Sequence, residues 1–130
     1  MSNSVDLLSP SVLCFVGDAV YGLCVRTALS KVNRPSGELH RLSVKLVNAV
    51  AQAEGFAVIE NQLTEKELAV FKRGRNFHTS STPKHATNAQ YHTATGLEAL
   101  FGYLYLSGQT ERVEELFKCV WNASECAENG

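Results

Sequence analysis

The fold turns on LSPSVLCFVGDAVYGLCVRTAL, residues 8–29. Its apolar residues Leu13, Val16, Val20 and Leu23 recur three and four apart, the spacing of one face of an α-helix. Ser9 stands where an N-cap belongs and Pro10 at the first helical position, so a helix is expected from there to about Leu29. Asp18 lies in the middle of this apolar run. An unpaired carboxylate is expensive to bury, or takes up a proton instead, so Asp18 needs a partner or a purpose.

Helical spacing continues along the chain. After Asn33-Arg34-Pro35 a second helix restarts near Ser36, with Leu39, Leu42, Leu46 and Val50 on one stripe and Gly55 as its interruption or end. Thr64-Glu65-Lys66-Glu67 has the capping-box pattern and opens a third helix that ends in the basic segment Lys72 to Asn76. FHTSSTPKHATNAQ, residues 77–90, is polar, contains Pro83 and lacks an apolar period, which predicts an exposed loop. A fourth helix is expected from about Gln90 to Leu106, with Gly108 stopping it. The last, from about Thr110, carries Val113, Leu116, Phe117, Val120 and Trp121 on its apolar side. No convincing strand alternation occurs, so the chain is expected to be all-α, one helical-bundle domain over 1–123 and a polar tail over 124–130.

A chain of 130 residues, 45% hydrophobic and 19% charged, suits one ordinary globular domain with a single core. No stretch is judged apolar and long enough to cross a bilayer, and no basic leader precedes a signal-peptide core, so a cytoplasmic protein without a membrane partner is expected. Cys14, Cys24, Cys119 and Cys126 form no CxxC pair and no zinc-finger spacing; the first two suit small core residues in a reducing compartment. The net charge of −1 conceals an asymmetry. Residues 68–97 contain no acid, yet hold Lys72, Arg73, Arg75 and Lys84 with His78, His85 and His92. This is a local basic patch, or else a helix end whose cations complement its dipole. The three histidines share no metal-ligand spacing.

Glu98, in ATGLEALFGYLYL, repeats the puzzle of Asp18. Two acids in apolar helices suggest each other as partners. Each has a glycine four residues on, Gly22 and Gly102, which lets helices approach closely or leaves room for a ligand. Mg²⁺ is bound by one or two carboxylates with waters and substrate phosphate oxygens, and a cation would offset the repulsion between two crowded acids. The competing structural reading pairs Asp18 with Arg26 or a base of the second helix and lets Glu98 reach solvent. Tyr21 is either core or an aid to the acidic site.

The chain resembles the ribonuclease III catalytic domain, and specifically the compact Mini-ribonuclease III group. LCFVGDAVYGLCVRTAL is similar to that group's Gly-Asp-Ala-Val-Tyr helix, KRGRN to its basic element, GELHRLSVKLVNAVAQAE to its intervening helix and YHTATGLEALFGYLYLSG to its second acidic helix. The likeness runs in order over most of residues 7–121. It implies a Mg²⁺-dependent endoribonuclease of double-stranded RNA, Mn²⁺ substituting, that leaves 5′-phosphates and acts on precursor large-subunit (23S) ribosomal RNA as a homodimer. Asp18 and Glu98 match acids that hold the metal and are needed for cleavage. Two further carboxylates of ordinary ribonuclease III are replaced here by Cys14 and Thr95, as the smaller group also looks reduced.

The family's double-stranded-RNA-binding domain has no counterpart in the polar tail. RNA grip is therefore expected from Lys72, Arg73, Arg75 and Lys84. Two other classes compete: a catalytically silent RNA-binding or ribosome-associated module on the same fold, and a helical interaction protein without nucleic-acid function. Retention of both acids argues against the first, and the second predicts salt-insensitive partner binding.

Overall fold

A computed structural model describes residues 2–77 and 86–129, with the side chains of 4–77 and 86–125. Seven α-helices follow one another: α1 (Ser2–Asp6), α2 (Pro10–Leu29), α3 (Ser36–Leu46), α4 (Ala49–Ile59), α5 (Glu65–Arg75), α6 (Asn88–Leu106) and α7 (Thr110–Asn129), with a 3-10 turn at Glu60–Gln62. Among the described residues there is no strand, and the all-α expectation holds. The central element is α6, against which α2, α4, α5 and α7 pack. Its Leu97, Ala99, Leu100, Phe101 and Leu104 are wholly buried.

Local signals place most helix starts. Ser9 caps α2, its hydroxyl accepting from the Val12 amide at 3.3 Å, and Pro10 follows. Thr64 and Glu67 exchange both bonds of a capping box at the head of α5. A second box, Thr87 with Gln90, opens α6 two residues before the expected start. Gly108 ends α6 in the left-handed region at φ 80°, with the Gln109 amide donating back to Leu104 O at 2.8 Å.

The expected second helix is in fact two. Val47 leaves the helical region, at φ −109° and ψ 75°, and Asn48 caps α4 by accepting from the Ala51 amide. The break falls at Asn48, a strong capping residue, and not at Gly55, which lies inside α4. There a side chain would crowd Val120 at 2.9 Å. At the other end of the chain α7 continues to Asn129, so the polar residues from Ser124 on are helical.

The segment α2 also departs from expectation. By length and composition alone it would cross a bilayer. Here it is a core helix, with Leu13, Gly17, Val20, Tyr21, Val25 and Leu29 buried, while Phe15 and Leu23 are 81% and 63% exposed. The apolar stripe expected from spacing thus supplies Leu13 and Val20 to the core but turns Leu23 outward, because α2 is apolar on more than one face. Tyr21 is core: its ring lies 5.3 Å from Phe101 and 5.6 Å from Phe117.

Where α2 crosses α6 the two backbones touch. A methyl group on Gly17 would fall 1.6 Å from the Glu98 carbonyl oxygen, and one on Gly102 would fall 2.0 Å from that of Leu13. No rearrangement of side chains relieves a clash with backbone, so only glycine fits at either place. Gly102→Ala is expected to lower the unfolding free energy by about 3 kcal/mol or more, at the upper end for overpacked cores. Urea denaturation, compared with Gly37→Ala at a glycine with no neighbour within 4 Å, checks this.

Candidate active site: two carboxylates at the helix crossing

Asp18 sits one residue beyond Gly17 on α2, and Glu98 supplies the very carbonyl that Gly17 approaches. The crossing therefore carries the two acids with it, near enough that Asp18 acts on the ionisation of Glu98. Asp18 is exposed and lines an open trough between α2 and α3, with Gly22, Arg26, His40 and Ser43 among its walls. The premise that Asp18 is buried is corrected: it opens to solvent on an apolar but partly uncovered helix. Glu98 is half-buried.

Burial first, then the hydrogen bond and charge of Asp18, push the Glu98 carboxyl up to about 8, against the opposing donation of the Gln52 amide. The Gln52 Nε2 group donates to Glu98 Oε2 at 3.4 Å. Without a cation, then, Glu98 gives up its proton less readily than an ordinary carboxyl.

The ion pairs of the described residues do not include one between Asp18 and Arg26, although both face the same trough. The competing structural reading of Asp18 is not realised. Of the two glycines expected to matter, Gly102 makes the close approach, whereas Gly22 leaves open space, with nothing within 4 Å of where a side chain would start. The partner of Gly102 is Gly17, which spacing from the acids did not single out.

Cys14 and Thr95 meet across the same crossing. The Cys14 thiol donates to the Thr95 carbonyl oxygen at 3.3 Å, and the Thr95 hydroxyl donates to Tyr91 O at 2.9 Å. Burial, and then the charge of Glu98, push the thiol up to about 12, so in the metal-free protein Cys14 stays a neutral thiol. Among the described residues no group of three or more His, Cys, Asp or Glu could hold a metal. Any ion here would be held by two carboxylates, with water or substrate oxygens completing its shell.

The basic residues lie at the end of α5, which packs on α6: a methyl on Gly74 would meet Ala99 and Gly96. Lys72 and Arg73 are exposed. Arg73 donates to Leu8 O at 3.0 Å, just before α2. Arg75 is half-buried, its guanidinium 5.8 Å from the centre of the Phe71 ring. The patch so far borders the α2–α6 pair that holds the acids. Lys84 falls outside the described residues, as do His78 and His85.

Gln52 escaped sequence reasoning. The signal was present, because Gln52 precedes Gly55, Phe56 and Ile59 by three, four and seven residues, so it is the polar member of an otherwise apolar face.

The family model described as Ribonuclease III domain matches residues 11–109. Among similar proteins, Mini-ribonuclease 3 of Thermoanaerobacter sp. is 46% identical over 112 residues, which cover 85% of this chain and 79% of that one. Mini-ribonuclease 3 of Clostridium tetani is 40% identical over 120 residues, covering 91% and 80%. Among solved structures, a protein of Fusobacterium nucleatum matches with a TM-score of 0.83 at 29% identity, over 91% of this chain and 95% of that one.

The raised Glu98 carboxyl has a measurable consequence. The folded state holds this proton up to about pH 8, whereas the unfolded chain releases it near the ordinary glutamate value of 4.5. Folding therefore binds a proton between those values, and this contribution to stability is lost as pH rises through them. In EDTA, the thermal midpoint of the wild type should fall more between pH 5 and about 8 than that of Glu98→Gln, which lacks the titrating group.

Proposed function

This chain belongs to the ribonuclease III family, in the Mini-ribonuclease 3 group, and on that premise we propose a Mg²⁺-dependent endonuclease whose metal is held by Asp18 and Glu98. By that membership it is a ribonuclease III-type endoribonuclease of double-stranded RNA. The observation that carries the metal reading is the convergence of two acids at one helix crossing, where burial and Asp18 raise the Glu98 carboxyl and a cation would offset the crowding. Asp18 lines an open trough, and hard carboxylate oxygens suit Mg²⁺, with Mn²⁺ as its substitute.

A bound Mg²⁺ lowers the pKa of water and stabilises charge on a leaving oxygen, the chemistry a phosphodiester hydrolysis needs. The chain's own residues do the rest. Asp18 and Glu98, fixed by the backbone contact beneath them, present oxygens to the ion from two elements. Gln52 steadies Glu98 from a third. Lys72, Arg73, Arg75 and Lys84 neutralise phosphates of the duplex. Products with 5′-phosphates, a role in maturation of 23S precursor ribosomal RNA and action in the cytoplasm complete the proposal.

We also read the protein as a homodimer. Val12, Phe15, Ala19 and Leu23 follow one another by three or four along α2, and all are exposed. A contiguous apolar stripe on a helix is a surface that seeks a partner, and a second copy would set two active sites on one duplex. A catalytically silent RNA-binding module remains the second reading, favoured by the small number of acids.

Cleavage of a duplex precursor RNA with Mg²⁺ titrated from zero tests this. Asp18→Asn should lose more than about a hundredfold in rate, beyond what disturbing an outer-shell partner costs, with its circular dichroism unchanged. Binding without cleavage by the wild type would support the silent module instead. Lys72→Ala should weaken duplex binding and flatten its salt dependence by about one unit of slope. Phe15→Glu should shift the sedimenting species from dimer to monomer; a wild type already monomeric would remove the dimer from the proposal.

A further inference from the structure

Gln52 is only 4% exposed, one of the few buried polar side chains described. An amide stripped of water must be hydrogen-bonded or it destabilises the fold. Its Nε2 group meets that need at Glu98 Oε2, on a helix 46 residues further along the chain. The element bearing it is well fixed. Asn48 caps α4 through its Oδ1, while its Nδ2 donates to Val44 O at 3.0 Å and Lys45 O at 2.9 Å, tying the first turn of α4 to the end of α3. Gln52 follows at once, its own amide bonded to Asn48 O at 2.9 Å.

The chemistry of the group matters as much as its placement. A lysine or arginine at this position would neutralise Glu98 and compete with a cation. An apolar residue would leave the carboxylate free to rotate. A neutral N–H donor occupies one carboxylate oxygen while leaving the charge for the ion. A site with Cys14 and Thr95 in place of further acids has few protein ligands, so misorientation of either one is costly.

We propose that Gln52 is a positioning residue for the metal: its amide holds Oε2 of Glu98 and thereby orients the carboxylate towards the ion shared with Asp18. This rests on the two-carboxylate reading of the site. The role is indirect, since Gln52 touches Glu98 and neither the ion nor the RNA.

Gln52→Met tests it, because methionine keeps the length and burial of the side chain and removes only the donor. Mn²⁺ binding to the RNA-free protein is followed by electron paramagnetic resonance, and the thermal midpoint is measured in EDTA. The expected result is about tenfold weaker Mn²⁺ binding, the scale of outer-shell losses, with cleavage recovered at raised Mg²⁺. Unchanged Mn²⁺ affinity overturns the proposal, whatever the midpoint does. Gln52→Glu gives a second measurement: a third carboxylate beside Glu98 should lower the metal-free midpoint, and Mn²⁺ should then raise it by more than in the wild type. Equal rises in the two proteins also overturn it. Asp18→Asn in the same titration separates the failures. If that variant binds Mn²⁺ as the wild type does, the two-carboxylate site falls and the role of Gln52 with it. If it loses binding while Gln52→Met does not, the role of Gln52 alone falls.

Discussion

The contact between the backbones of α2 and α6 is the constraint on which the rest of the molecule depends. Gly17 and Gly102 remove the side chains that would hold the helices apart, each fitting against a carbonyl of the other helix. That contact fixes the separation of Asp18 and Glu98 more firmly than any side-chain packing would, because backbone positions in a helix have little freedom to adjust. It also explains why the acids tolerate their crowding. The cost of bringing them together is met by the packing of two long apolar helices, so the site does not have to stabilise itself. Strain of this kind, held by the surrounding fold, is what an ion can relieve on binding.

Around that crossing the polar groups are few. Cys14 is turned against the Thr95 carbonyl, and Gln52 answers Glu98 from α4. A second buried polar cluster lies away from the site. Arg112 of α7 binds both oxygens of Glu67, at 2.8 and 2.9 Å, and the carbonyl of Gln62 at 2.7 Å. Burial alone would raise the Glu67 carboxyl, but Arg112 and the Thr64 amide hold it below the usual carboxylate range. A carboxylate buried for structural reasons thus ends beside a guanidinium, whereas Glu98 is left beside another acid. The contrast separates a compensated ion pair, which stabilises the fold, from two like charges that nothing in the fold compensates.

Much of this was legible in the residues themselves. Capping signals at Ser9 and Thr64 and the glycine at 108 set helix boundaries, since those rules are local and the chain obeys them. The two acids were legible as a pair because a charge in an apolar run is conspicuous. What stayed hidden depended on partners distant in sequence. The break at Asn48 is local, yet it was masked by an apolar period that continues in phase from Leu46 to Val50. The exposure of Asp18 and Leu23 could not be read from α2, because an all-round apolar helix does not declare which face the core takes. The pairing of Gly17 with Gly102, and of Gln52 with Glu98, exists only once three helices have met.

The same all-round apolarity governs how the molecule is made. During synthesis α2 emerges early, while the helix that covers it is joined to it by contacts spanning 81 residues, as between Cys14 and Thr95. Until α6 has followed it, the nascent chain therefore displays a long greasy segment with no place to bury it. Such topology delays cooperative folding until α6 is made and exposes the segment to capture by chaperones or by the targeting machinery for membranes. The charge of Asp18 at the centre of that segment also marks it as a poor membrane passenger.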